Sequence, residues 1–200
     1  MKIDWELPQF RKGFYGQIDK LIGPGATKAE KNLQLYLPLL GIAIVVLHGL
    51  YMNFNWSIGQ YVVAAILIGD MVGGVVTNAT STAKRWNFRE GNDFKAHMNF
   101  VGLHIIQVFL VSYFFLNFDL LWIGLFYGYL MITCAFILAM PLYLQRPVAM
   151  TVCAVSLVLS IYVFKSPEHL EWIIPLFFLK LQVCHVLREE PYRPEVEDKN

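Results

Sequence analysis

The feature of this 200-residue sequence that most limits its fold is a series of long apolar runs almost free of charge. Hydrophobic residues make up 56% of the chain and charged residues only 16%, which is too apolar for an ordinary soluble domain. About 20 apolar residues are needed to cross the roughly 30 Å of hydrocarbon in a bilayer. The chain therefore has room for six short spans and little else, and we predict an all-α polytopic integral membrane protein.

The pattern divides the chain into three parts. Residues 1–32 are predicted to be a polar cytosolic N-terminal segment, 33–187 a six-helix transmembrane bundle, and 188–200 a flexible cytosolic tail. The predicted spans cover residues 33–51, 57–78, 99–116, 120–140, 147–164 and 170–187. The tail is charged and holds two prolines, a composition typical of a segment without fixed structure.

Apolar residues in the N-terminal segment recur at the spacing of one helical face. They are Phe10, Phe14, Ile18 and Leu21. Cations lie off this face, which predicts an interfacial amphipathic helix with its apolar side toward the acyl chains. Thr27 followed by Glu30 has the spacing of a capping box, so we expect the helix of the first span to begin there.

The distribution of Lys and Arg predicts the orientation. In a six-span layout, fourteen of the sixteen Lys and Arg residues fall on one side. The positive-inside rule then places both termini in the cytosol of a multi-pass cell-membrane protein. Lys165 alone falls on the other side. We interpret Lys180, in the sixth span, as a cation whose side chain reaches the cytosolic face.

Asp70 is the most unusual residue because it is a lone carboxylate inside an apolar span. It lies eight residues before Asn78, about 12 Å below the predicted cytosolic boundary at about 1.5 Å per residue. A carboxylate at that depth costs roughly 3 kcal/mol unless it is paired, protonated or hydrated. Its own span offers no cation at that depth, so its partner must come from another helix, from water or from a ligand.

The third span supplies the polar residues that we expect opposite Asp70. His97 and His104 are seven residues apart and share a helical face, and Gln107 follows one turn further on. If spans two and three pack as antiparallel neighbours, Asp70 and His104 meet as an acid–base pair. We predict Asp70 and His104 as candidate catalytic residues. The candidate ligand-binding residues are Asn78, Thr77, Gln107, His97 and Arg85.

Three functions fit this pattern. The first is a shallow cytosol-facing site, built from spans two and three, that binds or processes a lipid-like or small ligand. The second is a small proton-coupled transporter in which Asp70 and the histidines titrate. The third is an accessory or structural subunit, in which Asp70 and His104 only hold helices together and the glycines of span two dock a partner helix. We favour the first, and the pattern does not decide whether the protein is an enzyme.

The other chemical signals in the sequence are few. Asp70 and the histidines lack the HxxxH, HxxE and HExxH spacings of metal-binding helices, so no metal site is predicted. The three cysteines lie in apolar segments without paired spacing, which excludes a CxxC redox pair. The expected partners are the lipid bilayer and a lipid-like or small-molecule ligand. No nucleic acid, cofactor or oligomeric state is indicated.

Overall fold

A computed structural model describes residues 1–9 and 11–194 of the chain. The architecture is helical, with one pair of two-residue strands. In chain order the elements are β1 (Lys2–Ile3), α1 (Phe14–Ile22), α2 (Lys28–Tyr51), α3 (Ile58–Ala79), α4 (Ser81–Asn87), α5 (Phe94–Leu103), α6 (Ile105–Phe115), α7 (Leu120–Ala139), α8 (Leu142–Tyr162), α9 (Ile173–Phe178), a π-helical segment (Leu179–His185) and β2 (Tyr192–Arg193). Phe10, which we assigned to the apolar face of the interfacial helix, lies outside the described residues.

In the described part of the chain, five helices are long and apolar enough to cross a membrane, with α5 and α6 counted together as one. They are Lys28–Tyr51, Ile58–Ala79, Phe94–Phe115, Leu120–Ala139 and Leu142–Tyr162. A shorter apolar helix, Ile173–His185, comprises α9 and the π-helical segment. The predicted second and fourth spans agree with α3 and α7 to within one residue at each end, whereas α8 begins five residues before its predicted start. Pro147 therefore lies inside α8, because an apolar helix packed among others tolerates a proline.

The start of α2 confirms the predicted capping box. Thr27 Oγ1 accepts a hydrogen bond from the Glu30 main-chain N–H at 3.2 Å, and Glu30 Oε2 accepts from the Thr27 N–H at 2.8 Å. Glu30 also accepts from Thr82 Oγ1 at 2.8 Å, which joins α4 to the start of α2. Two N–H groups that would be unpaired at the helix start are thus satisfied, and the same carboxylate fixes the neighbouring helix.

The last helical stretch lies at the centre of the bundle, where α9 and the π-helical segment pack against α3, α7 and α8. Its fully buried apolar residues are Ile173, Ile174, Phe177, Phe178 and Leu181. His169, just before it, stacks on Phe54 in the α2–α3 connection, with 3.8 Å between ring centroids. His185, at its end, lies beside Asn78 at the end of α3. The stretch therefore runs beside the whole length of α3.

The two ends of the chain meet in an antiparallel strand pair, in which Lys2 lies opposite Arg193 and Ile3 opposite Tyr192. Lys84 of α4 donates hydrogen bonds from Nζ to the carbonyls of Cys184 at 2.6 Å and Leu187 at 2.7 Å. Main-chain pairing therefore holds residues 192 and 193, which lie within the segment 188–200 for which a flexible tail is predicted. Residues 195–200 lie outside the described residues.

Candidate functional site

A groove of about 520 Å³ lies between α1, α2, α3 and α4. Its volume is that of a typical small-molecule site. Its polar lining includes Gln34, Asp70, Thr77, Asn78, Asn87 and Lys180. The end of α1 and Trp86 of α4 also line it. Along α3 it extends from Asn78 to Asp70, about 12 Å at 1.5 Å per residue.

An ion pair lies at the deep end of the groove. Lys180 Nζ of the π-helical segment lies 2.8 Å from Asp70 Oδ2, and Gln107 Nε2 of α6 donates to the same oxygen at 3.2 Å. The Lys180 side chain is 3% exposed and the Asp70 side chain 37%. The interpretation that Lys180 reaches the cytosolic face is therefore wrong. Pairing with a carboxylate inside the bundle compensates the buried ammonium.

Gly74 makes room for this ion pair. A Cβ atom at Gly74 would overlap Cε and Cδ of Lys180. The adjacent Gly73 faces Pro38 of α2, where a Cβ would lie 3.3 Å from Pro38 Cγ. Gly73 and Gly74 therefore serve two contacts, close approach of α2 and space for the Lys180 side chain.

His104 lies at the break between α5 and α6, and its ring hydrogen-bonds to a main-chain carbonyl one turn earlier. The main-chain N–H of His104 bonds to the Val101 carbonyl at 3.1 Å instead of to the Phe100 carbonyl. The ring Nδ1 lies 2.9 Å from that Phe100 carbonyl, which can only accept, so Nδ1 carries the proton. Among the described residues, His104 makes no hydrogen bond to Asp70. The structure thus brings Asp70 to Gln107 and does not join it to His104.

A second polar network links α3, α4, α5 and the π-helical segment. Asn78 Nδ2 donates to the Gly74 carbonyl at 2.8 Å, which orients the amide. Asn78 Oδ1 then accepts from Asn87 Nδ2 at 3.2 Å and from His185 Nδ1 at 3.1 Å. The other nitrogen of His185, Nε2, lies 3.4 Å from His97 Nδ1. This chain of contacts joins α3, α4, α5 and the π-helical segment.

When both imidazoles are neutral, the contacts of the network determine which ring nitrogens carry the protons. Because Asn78 Oδ1 is an acceptor, His185 Nδ1 carries a proton and its Nε2 holds a lone pair. His97 Nδ1 must then donate to His185, which leaves a lone pair on His97 Nε2. That nitrogen is buried and has no hydrogen-bond partner within the described part of the chain. The network therefore ends in a buried base beside the ring of Phe88.

The other predicted site residues divide between the groove and its surroundings. Thr77 lines the groove and donates from Oγ1 to Gln34 Oε1 at 3.0 Å. Arg85 lies outside it, 3% exposed and 3.5 Å from Asp4. Burial lowers the pKa of the Arg85 guanidinium, while Asp4 opposes that shift. Of the predicted ligand-binding residues, Thr77 and Asn78 line the groove and Gln107 supports it, whereas His97 and Arg85 do not line it.

Lys180, His185 and Asn87 were missed by sequence reasoning. For Lys180 a signal existed, because it is a cation inside an apolar segment just as Asp70 is an acid inside one. Lys180 could be recognised as the partner of Asp70 only by knowing that the last helix lies against α3. His185 and Asn87 carried no signal, since polar residues near the ends of spans usually face water.

Outside this groove, the described residues contain fewer features that could bind a ligand. A second groove of about 610 Å³ lies between α4, α8 and residues 187–192, among exposed charges of both signs such as Arg146, Arg188 and Glu190. Among the residues that the structure describes, no three His, Cys, Asp or Glu side chains are arranged to hold a metal ion. The chain matches no known protein-family model, curated protein or solved structure. The groove and its two networks are therefore the basis for a function.

Proposed function

We propose that the chain crosses a cell membrane six times, with both termini in the cytosol. The pairing of β1 with β2 supports this, because ends that meet on one side require an even number of crossings. Five long apolar helices and the stretch Ile173–His185 provide six. The excess of Lys and Arg on the side of the termini agrees with the cytosolic assignment.

Helix α1 supports the same arrangement. Phe14 and Leu21 are each 76% exposed, whereas Asp19 on the other side of the helix is buried against Arg11. Apolar side chains so exposed beside a row of membrane-type helices fit an interfacial helix that faces acyl chains. The end of this helix lines the groove, which supports a position of the groove at the cytosolic membrane edge.

Within this bundle, the groove binds the polar head of a lipid-like ligand. The observation that carries this function is the ion pair at its deep end, in which Lys180 is buried but Asp70 remains 37% exposed. Enclosing both charges would add a desolvation cost, and the partial exposure of Asp70 keeps its carboxylate solvated and able to exchange water for a ligand group. The Asp70 carboxylate lines an open groove of ligand size, at a depth where charged groups in membrane proteins are usually functional.

Native mass spectrometry of the protein purified in mild detergent tests this function. We expect wild-type protein to retain an amphiphile, and Asp70→Asn to lose at least about 90% of the retained mass, since one charge-assisted hydrogen bond corresponds to about tenfold in affinity. Glu168→Gln is the matched control, because its carboxylate is 87% exposed at the other end of the bundle. Equal retention by Asp70→Asn, with an unchanged melting temperature, would contradict the proposal.

A further inference from the structure

The hydrogen-bonding capacity left over at the ion pair defines the kind of head group that fits. Asp70 Oδ2 is occupied by Lys180 and Gln107, whereas Asp70 Oδ1 has no hydrogen-bond partner in the described residues. The Lys180 ammonium has three N–H donors and uses one of them, toward Asp70. One spare acceptor and spare donors therefore lie side by side, and both residues line the groove.

The charge at this depth is already balanced. Asp70 and Lys180 neutralise each other, and the third charged lining residue, Lys20, belongs to α1. An anionic head placed against the pair would meet the Asp70 carboxylate, and a cationic head would meet the buried Lys180 ammonium. Either would add an unpaired charge in a region where charge is poorly solvated.

We infer that the ligand presents an uncharged hydroxyl group to Asp70 and Lys180, so that the groove selects a long-chain alcohol head over a charged one. A hydroxyl has one donor and two acceptor lone pairs, which match the Asp70 Oδ1 acceptor and a Lys180 N–H donor. The inference rests on the proposed amphiphile site. Apolar lining from Pro38, Gly69 and Gly73 provides a surface for the first carbons of the chain.

Four probes with the same chain and different heads test this inference. They are hexadecanol, hexadecyl methyl ether, hexadecanoate and hexadecylammonium, each titrated into the full-length protein in detergent, with occupancy read by native mass spectrometry. We expect hexadecanol to bind at least about tenfold more tightly than the ether, which cannot donate, and than either charged probe. Binding of the ether should change little in Asp70→Asn, because the ether cannot donate a hydrogen bond to the Asp70 carboxylate and so has none to lose there.

The possible outcomes separate this inference from the function on which it rests. If all four probes bind with similar affinity, the amphiphile site stands and selection of a hydroxyl group is wrong. If hexadecanoate or hexadecylammonium binds most tightly, a charged head is selected and the inference is overturned. If no probe binds folded protein, both proposals fail. Loss of the hexadecanol preference in Asp70→Asn, with Glu168→Gln unchanged, locates the selection at the ion pair.

Discussion

At the level of single residues, the ion pair of Asp70 and Lys180 depends on the absence of a side chain at Gly74. Sequence reasoning identified Asp70, because a carboxylate in an apolar run is rare and costly. It did not identify Gly74 or the role of Lys180. A glycine in a span indicates that another atom packs closely against it, but not which atom. A lone lysine near the end of a span can either pair with an acid or reach water.

Gly74→Ala should therefore weaken the fold. The added methyl group displaces the Lys180 side chain, and we expect a loss of about 1–3 kcal/mol, as for overpacked sites. The measurement is the free energy of unfolding in mixed detergent and dodecyl sulfate micelles. Gly124→Ala in α7 is the matched control, because nothing lies near its Cβ position. We expect that variant to be stabilised by about 0.5–1 kcal/mol through helix propensity. Equal effects of the two substitutions would contradict the role given to Gly74.

At the level of elements, helix starts were more predictable than helix interiors. The Thr27–Glu30 box is local in sequence, and its spacing gave the start of α2. The break at His104 and the π-helical segment Leu179–His185 were not predicted, because both apolar runs continue through them without a proline or glycine at the irregular point. The irregular segment carries Lys180 and His185, so the polar contacts of the bundle's centre depend on the part of the chain with the weakest sequence signal.

The segment before α1 should loosen from that helix in acid. Arg11 donates from Nε to Asp19 Oδ2 at 2.9 Å, and this pairing lowers the pKa of the Asp19 carboxyl. Because the folded pKa lies below the unfolded value of about 3.9, the stabilisation is complete above that value and is lost as the pH falls through the folded pKa. A spin label at Gln17→Cys should gain mobility below about pH 4.

Asp19→Asn is the control for this titration, since its side chain cannot ionise. We expect the spin label in that variant to be mobile at neutral pH and nearly insensitive to acid. A wild-type label that keeps the same mobility between pH 7 and pH 3 would show that the Arg11–Asp19 pair does not hold the segment before α1 against that helix.

At the level of the whole molecule, composition and charge were enough to predict an all-helical chain with long apolar helices. The apolar runs have the length of a membrane span, and few other folds accommodate them. The contact between the two ends could not be predicted, because Lys2 and Arg193 are 191 residues apart and a two-residue strand has no sequence signature. The packing of the last helix against α3 could not be predicted either, since hydrophobicity alone does not determine which helices are neighbours in a bundle.

Both ends should be reached from the same side of the membrane. Lys2→Cys and Glu190→Cys, each in a chain without native cysteines, should react with an impermeant maleimide only in inside-out vesicles. Asn53→Cys and Lys165→Cys, in connections at the opposite end of the bundle, should react only in right-side-out vesicles. Reaction of Lys2→Cys and Glu190→Cys from opposite sides would exclude six crossings.

The separation of Asp70 and Lys180 by 110 residues has a consequence for biosynthesis. In the proposed six-span arrangement, the acid of the second span enters the bilayer long before the ribosome has made the base that neutralises it. In the interval the carboxyl group must bind a proton or stay in contact with water. A nascent chain that ends after α8 therefore carries an uncompensated acid among its helices, and insertion of the final helix completes both the charge balance and the interior of the protein.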